Sequence, residues 1–377
     1  MNNKTKKRDV VLDIAKGIGI FCVVLGHCNM LAVKFVSLFH MPLFFIIAGY
    51  FTNLKNSETI VSLLKFCKKR LFLLGGTFIA CNLIFLLLHN FFCDINIYTN
   101  NELFLQTAEG LKWGLIEPFS KTEIMQKSLW TVILARSEPL GGATWFLRSL
   151  LFSSVIFMVC GYLKKFIKLS DNYFYALLLL LSFCATLLLH NLNINIYSIG
   201  STFFALFFIV IGNIINKYSL NHSSIKILIL SSLVLLLCLP LNYTHSVVNN
   251  DYSNIFEYII SGIAGYYFVY CISDYLQKKQ IFAKVFSYLG QHTLIIVCLH
   301  FLAFKFVNSI QLLVYHYPNY MLAAFPVIRV HQGLWCIPYV IVGLFIPCII
   351  SYLFFYSIDF CNSRKIFTKL RCIIMKG

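Results

Sequence analysis

The sequence predicts an all-α polytopic membrane protein, a bundle of about ten transmembrane helices with both termini in the cytoplasm. Of the 377 residues, only 12% are charged and 59% are hydrophobic, and the mean hydropathy is +0.79. A soluble protein carries about 25% charged residues, so this chain has too little polar surface to cover itself in water. Its apolar segments are also long and unbroken, whereas the strands of a membrane barrel alternate in polarity.

Ten apolar segments have the length of a membrane span, which takes about 20 residues. These segments are residues 11–32, 35–53, 71–91, 144–163, 172–190, 198–216, 226–241, 254–274, 285–306 and 333–357. The second segment contains Pro42 close to its start. Proline is tolerated in the first turn of a helix, so we expect this helix to begin near residue 41.

The basic residues separate onto one side of this arrangement. Of the 31 Lys and Arg residues, 22 lie in the two tails and in the connections at 55–70, 164–168, 217–226 and 278–284. The opposite connections hold five basic residues and seven of the 14 acidic ones. This partition follows the positive-inside rule and places both termini in the cytoplasm. The net charge of +17 therefore reflects membrane orientation and contact with membrane lipids, and no nucleic-acid partner is expected.

One membrane domain is predicted over residues 1–377, with cytoplasmic tails at 1–9 and 358–377. Two outer connections are unusually long, 92–143 and 307–332, and both are rich in aromatic residues. Aromatic content argues against disorder. Either these loops form a partly folded cap that can stack on a sugar-like ligand, or their aromatic residues anchor the bundle at the membrane interface.

The 14 cysteines include no CxxC pair and no cluster with the spacing of metal ligands. Ten of them lie within apolar stretches, where cysteine behaves as a small hydrophobic residue. We therefore expect buried free thiols and no metal site.

Ionisable residues inside the first apolar segment indicate a candidate site, because burying them in a membrane is costly. Lys16 and His27 are eleven residues apart. On a helix, a separation of eleven residues corresponds to three turns plus about 20°, so Lys16 and His27 lie on the same face, about 16 Å apart along the axis. Asp13, three residues before Lys16, is its natural neighbour on that face. Imidazole suits proton transfer near neutral pH, which makes His27 a candidate base unless it is a packing residue. Lys16 either binds an anion or extends to the interface.

Four further features lie in other segments of the same predicted bundle, and the last two of them are weak alone. They are His40, the pair Lys69 and Arg70, Trp145 with Arg148, and His300. Lys69 and Arg70 stand where the third helix enters the membrane and either fix its orientation or bind phosphate. Arg148 either extends outward or points into a cavity. His300 lies on the ninth helix at a depth similar to that of His27.

These residues together resemble the acyltransferase-3 family of bacterial membrane O-acyltransferases, and especially the polysaccharide O-acetylases related to fucose 4-O-acetylase. In chain order, the likeness lies in LDIAKGIGIFCVVLGH, FHMPLFFIIAGYF, KKRLF, ATWFLRSLLF and LGQHTLIIVCLH. Its most specific part is a basic residue, ten intervening positions and a histidine, here Lys16 and His27. Arginine is commoner in the family at the position of Lys16.

The resemblance implies an enzyme of the bacterial plasma membrane that transfers an acetyl group from cytoplasmic acetyl-CoA to a sugar hydroxyl. The acceptor would be a surface glycan or its polyprenyl-linked precursor, and acyl-CoA would be a substrate, so that no cofactor is permanently bound. The implied roles are His27 as the catalytic residue, Lys16, Lys69 and Arg70 as donor-binding residues, and Asp13, His40, Trp145, Arg148 and His300 as supporting residues.

The chemistry is consistent with these roles. A neutral imidazole can take the proton of a sugar hydroxyl as that hydroxyl attacks a thioester. An acyl-enzyme intermediate is the alternative route. A different class of function also suits intramembrane Lys and His residues, namely a transporter or flippase of a lipid-linked or anionic small molecule. Detection of acetyl-CoA-dependent modification separates the enzyme from the transporter.

Overall fold

The computed structural model describes residues 9–28, 30–109, 114–241 and 245–361, and these ranges are predominantly helical. Their helices are α1 Val10–Cys28, α2 Met30–Val36, α3 His40–Phe51, α4 Ile60–Arg70, α5 Gly76–Leu87, α6 His89–Asp94, α7 Lys121–Val132, α8 Trp145–Ile167, α9 Asp171–Asn191, α10 Ile199–Lys217, α11 Ile225–Cys238, α12 Ile255–Leu276, α13 Gln280–Gln291, α14 Thr293–Tyr315 and α15 Gln332–Cys361. The one sheet within these ranges pairs β1 His245–Ser246 with β2 Asp251–Tyr252 in antiparallel register.

The helical membrane fold that the sequence predicts is confirmed. Within the described ranges, nine segments are long and apolar enough to cross a membrane: Val10–Cys28, Ala32–Phe51, Ile60–Leu87, Pro139–Ile167, Asp171–Asn191, Ile196–Lys217, Ile255–Leu276, Thr293–Tyr315 and Gln332–Leu353. The predicted segment 226–241 is shorter, because α11 ends at Cys238 and a 3₁₀ turn containing Pro240 follows. Proline has no N–H with which to continue a helix. Nine full-length segments and one short one therefore stand where ten spans were predicted.

Several boundaries differ from those predicted. The segment 285–306 is two helices, since α13 ends at Gln291 and α14 begins at Thr293. The outer connection predicted at 307–332 is only 316–331, because α14 continues to Tyr315. Its polar residues Asn308 and Gln311 both bond to Tyr339 of α15, so they favour helix packing over a loop.

The tails are mostly outside the described residues. Residues 1–8 of the first tail and 362–377 of the second lie outside the described residues, and α15 extends to Cys361, beyond the predicted start of the second tail. The cytoplasmic location of both termini stays a prediction. The described cysteines are free thiols, and eight of the ten in apolar stretches are buried as expected: Cys22, Cys28, Cys81, Cys238, Cys271, Cys298, Cys336 and Cys348. The expectation is wrong for the other two, since Cys160 is partly buried and Cys184 is exposed on the surface of the bundle.

The two ends of the bundle differ in character. At the lysine-rich end, defined here by residues 52–59, 164–171 and 217–224, Lys164 and Lys217 both form ion pairs with Asp171. At the opposite loop end, defined by residues 95–138 and 316–331, the two long connections meet, since Arg329 donates its main-chain N–H to Glu109 at 2.6 Å. That the lysine-rich end faces the cytoplasm stays a prediction of the positive-inside rule.

Two close helix crossings position α1 and α3 in the bundle core. A Cβ at Gly49 of α3 would overlap the carbonyl oxygen of Ile209 on α10. A Cβ at Gly17 of α1 would likewise overlap the carbonyl oxygen of Phe286 on α13. Glycine permits this backbone approach because it has no side chain. α1, which carries Lys16 and His27, is thereby packed among α3, α12, α13, α14 and α15.

Candidate active site

The imidazole rings of His27 and His300 stack on each other inside the bundle. Their centroids are 5.4 Å apart and their planes differ by 25°. Phe301, the next residue on α14, presents its ring edge-on to His27 at 4.8 Å. His27 is partly buried and His300 is fully buried. The similar depth predicted for the two histidines is therefore realised as direct ring contact between α1 and α14.

The hydrogen bond of His300 determines which of its nitrogens carries the proton. The Nδ1–H donates to the main-chain carbonyl of Ile296, one turn earlier, at 2.8 Å. In the neutral ring Nε2 is then a bare acceptor. This Nε2 is buried and has no hydrogen-bond partner among the described residues. A buried acceptor without a partner is costly, so it is a natural place for a substrate hydroxyl to donate.

Aromatic and polar groups cover the histidine pair on the side of the loop end. The ring of Phe325, in the connection 316–331, is 4.6 Å from that of Phe301. Lys305 of α14 is buried, and its ammonium donates to the main-chain carbonyls of Leu322 at 3.0 Å and Ala324 at 2.6 Å. This connection is thus tied to the same helix that carries His300.

A second set of contacts fixes the other long connection. His89 is buried, with Nδ1 at 3.0 Å from a carboxylate oxygen of Glu138 and Nε2 at 3.0 Å from the main-chain carbonyl of Glu117. Its ring stacks on Phe119 with centroids 3.6 Å apart. Asn82 of α5 accepts the main-chain N–H of Glu138 at 2.9 Å. The connection 92–143 is therefore folded onto α5 and α6.

Glu109 joins the two connections and has an altered acidity. It is 2% exposed and accepts the main-chain N–H of Arg329, whose guanidinium Nε is 3.9 Å from the other carboxylate oxygen. Burial raises the pKa of this carboxyl, while the bonds and charge of Arg329 and the charge of Lys305 act in the opposite direction. Burial dominates because a carboxylate loses its hydration in this position.

Asp13 and Lys16 form the ion pair that their spacing predicts. The Lys16 ammonium is 2.9 Å from the Asp13 carboxylate, and the side chains are 17% and 4% exposed. The ammonium also lies 6.0 Å from the ring centroid of Phe51, at the end of α3. Lys16 thus lies in the half of α1 that is nearer the lysine-rich end of the bundle. Its charge is balanced by that of Asp13. Removing Lys16 alone would take the ammonium partner away from a buried carboxylate.

Lys69 and Arg70 end α4 and differ in their surroundings. Lys69 is exposed, whereas Arg70 is partly buried with its guanidinium 5.3 Å from the ring centroid of Phe66. Arg70 has no ion pair among the described residues. A π-helical segment, Leu71–Gly75, begins directly after it. Such segments are frequent at functional sites, and here one lies immediately beyond the cation.

The remaining predicted residues hold the framework around the site. His40 donates from Nδ1 to the main-chain carbonyl of Val36 at 2.7 Å. Trp145 begins α8 and packs edge-on against Phe146. Arg148 donates to the main-chain carbonyl of Leu134 at 2.7 Å and to Ser198 at 2.5 Å. Arg148 therefore links α8 to the connections that contain Leu134 and Ser198.

A family model described as an acyltransferase domain, the acyltransferase-3 model, matches residues 9–356. The match contains both histidines, the ion pair of α1 and the connections at the loop end. The chain belongs to the acyltransferase-3 family. No curated protein and no solved structure matches the chain. Family membership and nine apolar spanning segments in the described ranges support a membrane acyltransferase.

The structure adds residues to this acyltransferase-3 site that sequence reasoning missed. They are Lys305 and Asn308 of α14, which hold the connection over the histidines, and Glu109, which joins the two connections. Lys305 carries a recognisable signal, since it is a charged residue five positions after His300 in an apolar stretch. Glu109 carries no such signal in the sequence, because its partner Arg329 is more than 200 residues away along the chain.

Proposed function

We propose that this membrane acyltransferase transfers an acetyl group from acetyl-CoA to a sugar hydroxyl, with His27 as the general base. The acceptor is a surface polysaccharide or its polyprenyl-linked precursor, and the enzyme resides in the bacterial plasma membrane. The observation that carries the proposal is the stacked pair of His27 and His300 within a family match of nearly the whole chain. A buried imidazole pair offers a proton acceptor where charge is otherwise scarce.

In the proposed reaction His27 takes the proton of the acceptor hydroxyl as its oxygen bonds to the thioester carbonyl carbon. The carbon–sulfur bond then breaks, and the thiolate of coenzyme A leaves and receives that proton. His300 supports this step, because its Nε2 is an unpartnered acceptor that can hold a hydroxyl in place. Phe301 and Phe325 limit the access of water, which would otherwise hydrolyse the thioester.

Direct transfer is favoured over an acyl-enzyme by the contacts of the thiol that follows the proposed base in the chain. The Sγ of Cys28 lies 3.6 Å from the main-chain carbonyl of Leu25 and 4.0 Å from that of Cys336. Both carbonyls are hydrogen-bond acceptors for this thiol, which is therefore engaged by the main chain. A positioned base acting on the acceptor hydroxyl requires no such nucleophile.

The decisive experiment is mass spectrometry of the surface glycan from cells with and without this protein. We expect O-acetyl groups only in cells that produce it, and none when it carries His27→Ala. Purified protein in nanodiscs with acetyl-labelled coenzyme A tests the donor. Label that stays on coenzyme A while the sugar lipid moves across the membrane would instead identify a flippase.

A further inference from the structure

A basic cavity opens at the lysine-rich end, away from the histidine pair. Its volume is about 630 Å³, a size typical of small-molecule sites. It is bounded by the connection after α3, the end of α8, the start of α9 and the end of α10. Five lysines line it, Lys55, Lys164, Lys165, Lys168 and Lys217, against two carboxylates, Glu58 and Asp171. The lining thus has an excess of three positive charges.

Only part of this charge is neutralised by the protein. Asp171 pairs with both Lys164 and Lys217, and the Lys165 ammonium contacts the main-chain carbonyl of Glu58. Within the described ranges, Lys55 and Lys168 make no ion pair. One carboxylate shared by two ammonium groups leaves net positive charge between them. The cavity therefore favours an anion that carries more than one charge.

The floor of the cavity is held by hydrogen bonds between buried polar groups. Asn213 of α10 accepts from the Tyr175 hydroxyl at 2.8 Å and donates to the main-chain carbonyls of Thr52 at 2.5 Å and Gly49 at 3.3 Å. These bonds join α3, α9 and α10 beneath the lysines. The floor of the cavity is thus preformed, which distinguishes this cavity from a group of lysines on an open surface.

Exposed apolar residues flank the lining residues of the cavity along the chain. Phe166 and Ile167 at the end of α8 are each 70% exposed, and Tyr173 in the first turn of α9 is 71% exposed. Apolar side chains beside clustered lysines at the end of membrane spans are suited to an amphiphile whose charged group enters the basin. Several ammonium groups converging on one space match the oxygens of phosphate.

We propose that this cavity, the lysine basin, binds a phosphate group or diphosphate that carries at least two negative charges. Two sources supply this chemistry. One is the headgroup of an anionic phospholipid, with its chains along Phe166, Ile167 and Tyr173. The other is the phosphorylated nucleotide end of coenzyme A, which lies at the opposite end of that molecule from its thioester. Binding is a property of the basin and does not rest on the proposed acyl transfer.

The test compares the full-length protein with the double variant Lys55→Gln/Lys168→Gln, which removes the two lysines without an ion pair. The charge-matched control is Lys278→Gln/Lys284→Gln, between α12 and α14 at the same end of the bundle. The first arm measures coenzyme A binding by calorimetry in phosphatidylcholine nanodiscs. The second measures phosphatidylglycerol retained from mixed nanodiscs by native mass spectrometry. Neither arm measures turnover, so failure of the proposed enzyme reaction would not affect either result.

We expect the basin variant, and not the control, to lose roughly tenfold in one arm, because each removed cation weakens attraction to phosphate. Loss of coenzyme A affinity identifies the donor as the ligand, and loss of retained phosphatidylglycerol identifies the lipid. If the basin variant matches its control in both arms, the lysine basin is not a phosphate site and the proposal fails.

Discussion

The ring of Phe325 lies 4.6 Å from the ring of Phe301, which in turn meets His27 edge-on at 4.8 Å. One residue of a surface connection is therefore linked to the proposed base through a single intervening side chain. The position of this connection determines how closed the histidine pair is on the side of the loop end. The contacts that hold the connection should accordingly affect access to the site before they affect its chemistry.

The first prediction concerns the buried ammonium that holds this connection. Lys305→Met should loosen residues 319–328, because it removes two hydrogen bonds to the carbonyls of Leu322 and Ala324. Asn308 still donates to both carbonyls, so we expect a loss of about 1–3 kcal/mol in the local free energy of opening. Hydrogen exchange of peptides from this connection measures the effect. Unchanged protection there, with Lys226→Met as control, would contradict the role assigned to Lys305.

The second prediction is a pH dependence that arises from Glu109. Because burial raises the pKa of this carboxyl, its neutral form stabilises the folded loops. That stabilisation is complete below the usual glutamate value of 4.5 and is lost as pH rises through the raised value. Protection of residues 316–331, corrected for intrinsic exchange, should therefore fall over this window. Glu109→Gln should remove the dependence, since it keeps an oxygen acceptor for the Arg329 N–H. Identical profiles for both proteins would exclude Glu109 as the cause.

The third prediction concerns donor binding at α1 and α4. Arg70→Ala should weaken coenzyme A binding, because it removes a partly buried guanidinium that can pair with phosphate. Lys16→Arg should be tolerated, since it keeps the ion pair with Asp13 and offers a second donor. The measurement is the shift in melting temperature on addition of coenzyme A.

The matched variants for this third prediction follow from the same contacts. Lys65→Ala is the control for Arg70, since it removes an exposed cation from the same helix. Lys16 is best removed together with its ion-pair partner, as Asp13→Asn/Lys16→Met, so that the two opposite charges of the pair are removed at once. If Arg70→Ala and this double variant both bind coenzyme A as the wild type does, the two cations serve orientation and packing only.

The sequence predicted the membrane fold and the Asp13–Lys16 ion pair, because both depend on residues that are close together in the chain. Apolar segment length gives the helices directly, and helical periodicity gives the Asp13–Lys16 pair, since both depend on neighbouring residues. The contact between His27 and His300 was predicted only as similar depth, because it depends on how α1 packs against α14. The contacts of Glu109 and the lining of the lysine basin bring together residues that are far apart in the chain. No local sequence pattern predicts that such residues meet. Asn308 and Gln311 were wrongly predicted to lie in a loop, because their hydrogen-bond partners lie on α15 and in the connection 316–331 and could not be identified from the sequence.

The last prediction is that His27→Ala abolishes acyl transfer without unfolding the bundle. A positioned base is worth roughly 10²–10⁴ in rate, so kcat should fall by about that factor while the melting temperature stays near that of the wild type. We expect activity to be lost while stability is kept, because His27 is only partly buried and its removal leaves no fully enclosed cavity. His300→Ala should retain part of the activity, because this residue only orients the acceptor.

The control for both variants is His292→Ala. His292 makes the same type of bond as His300, from Nδ1 to a carbonyl one turn earlier at 2.8 Å, but it is only partly buried and directly precedes α14. Loss of a histidine hydrogen bond as such therefore affects His292 and His300 alike, whereas loss of a catalytic group affects only the stacked pair. If His27→Ala is stable and still acylates its acceptor, His27 is not the base. If it unfolds while the surviving molecules remain active, His27 is a packing residue.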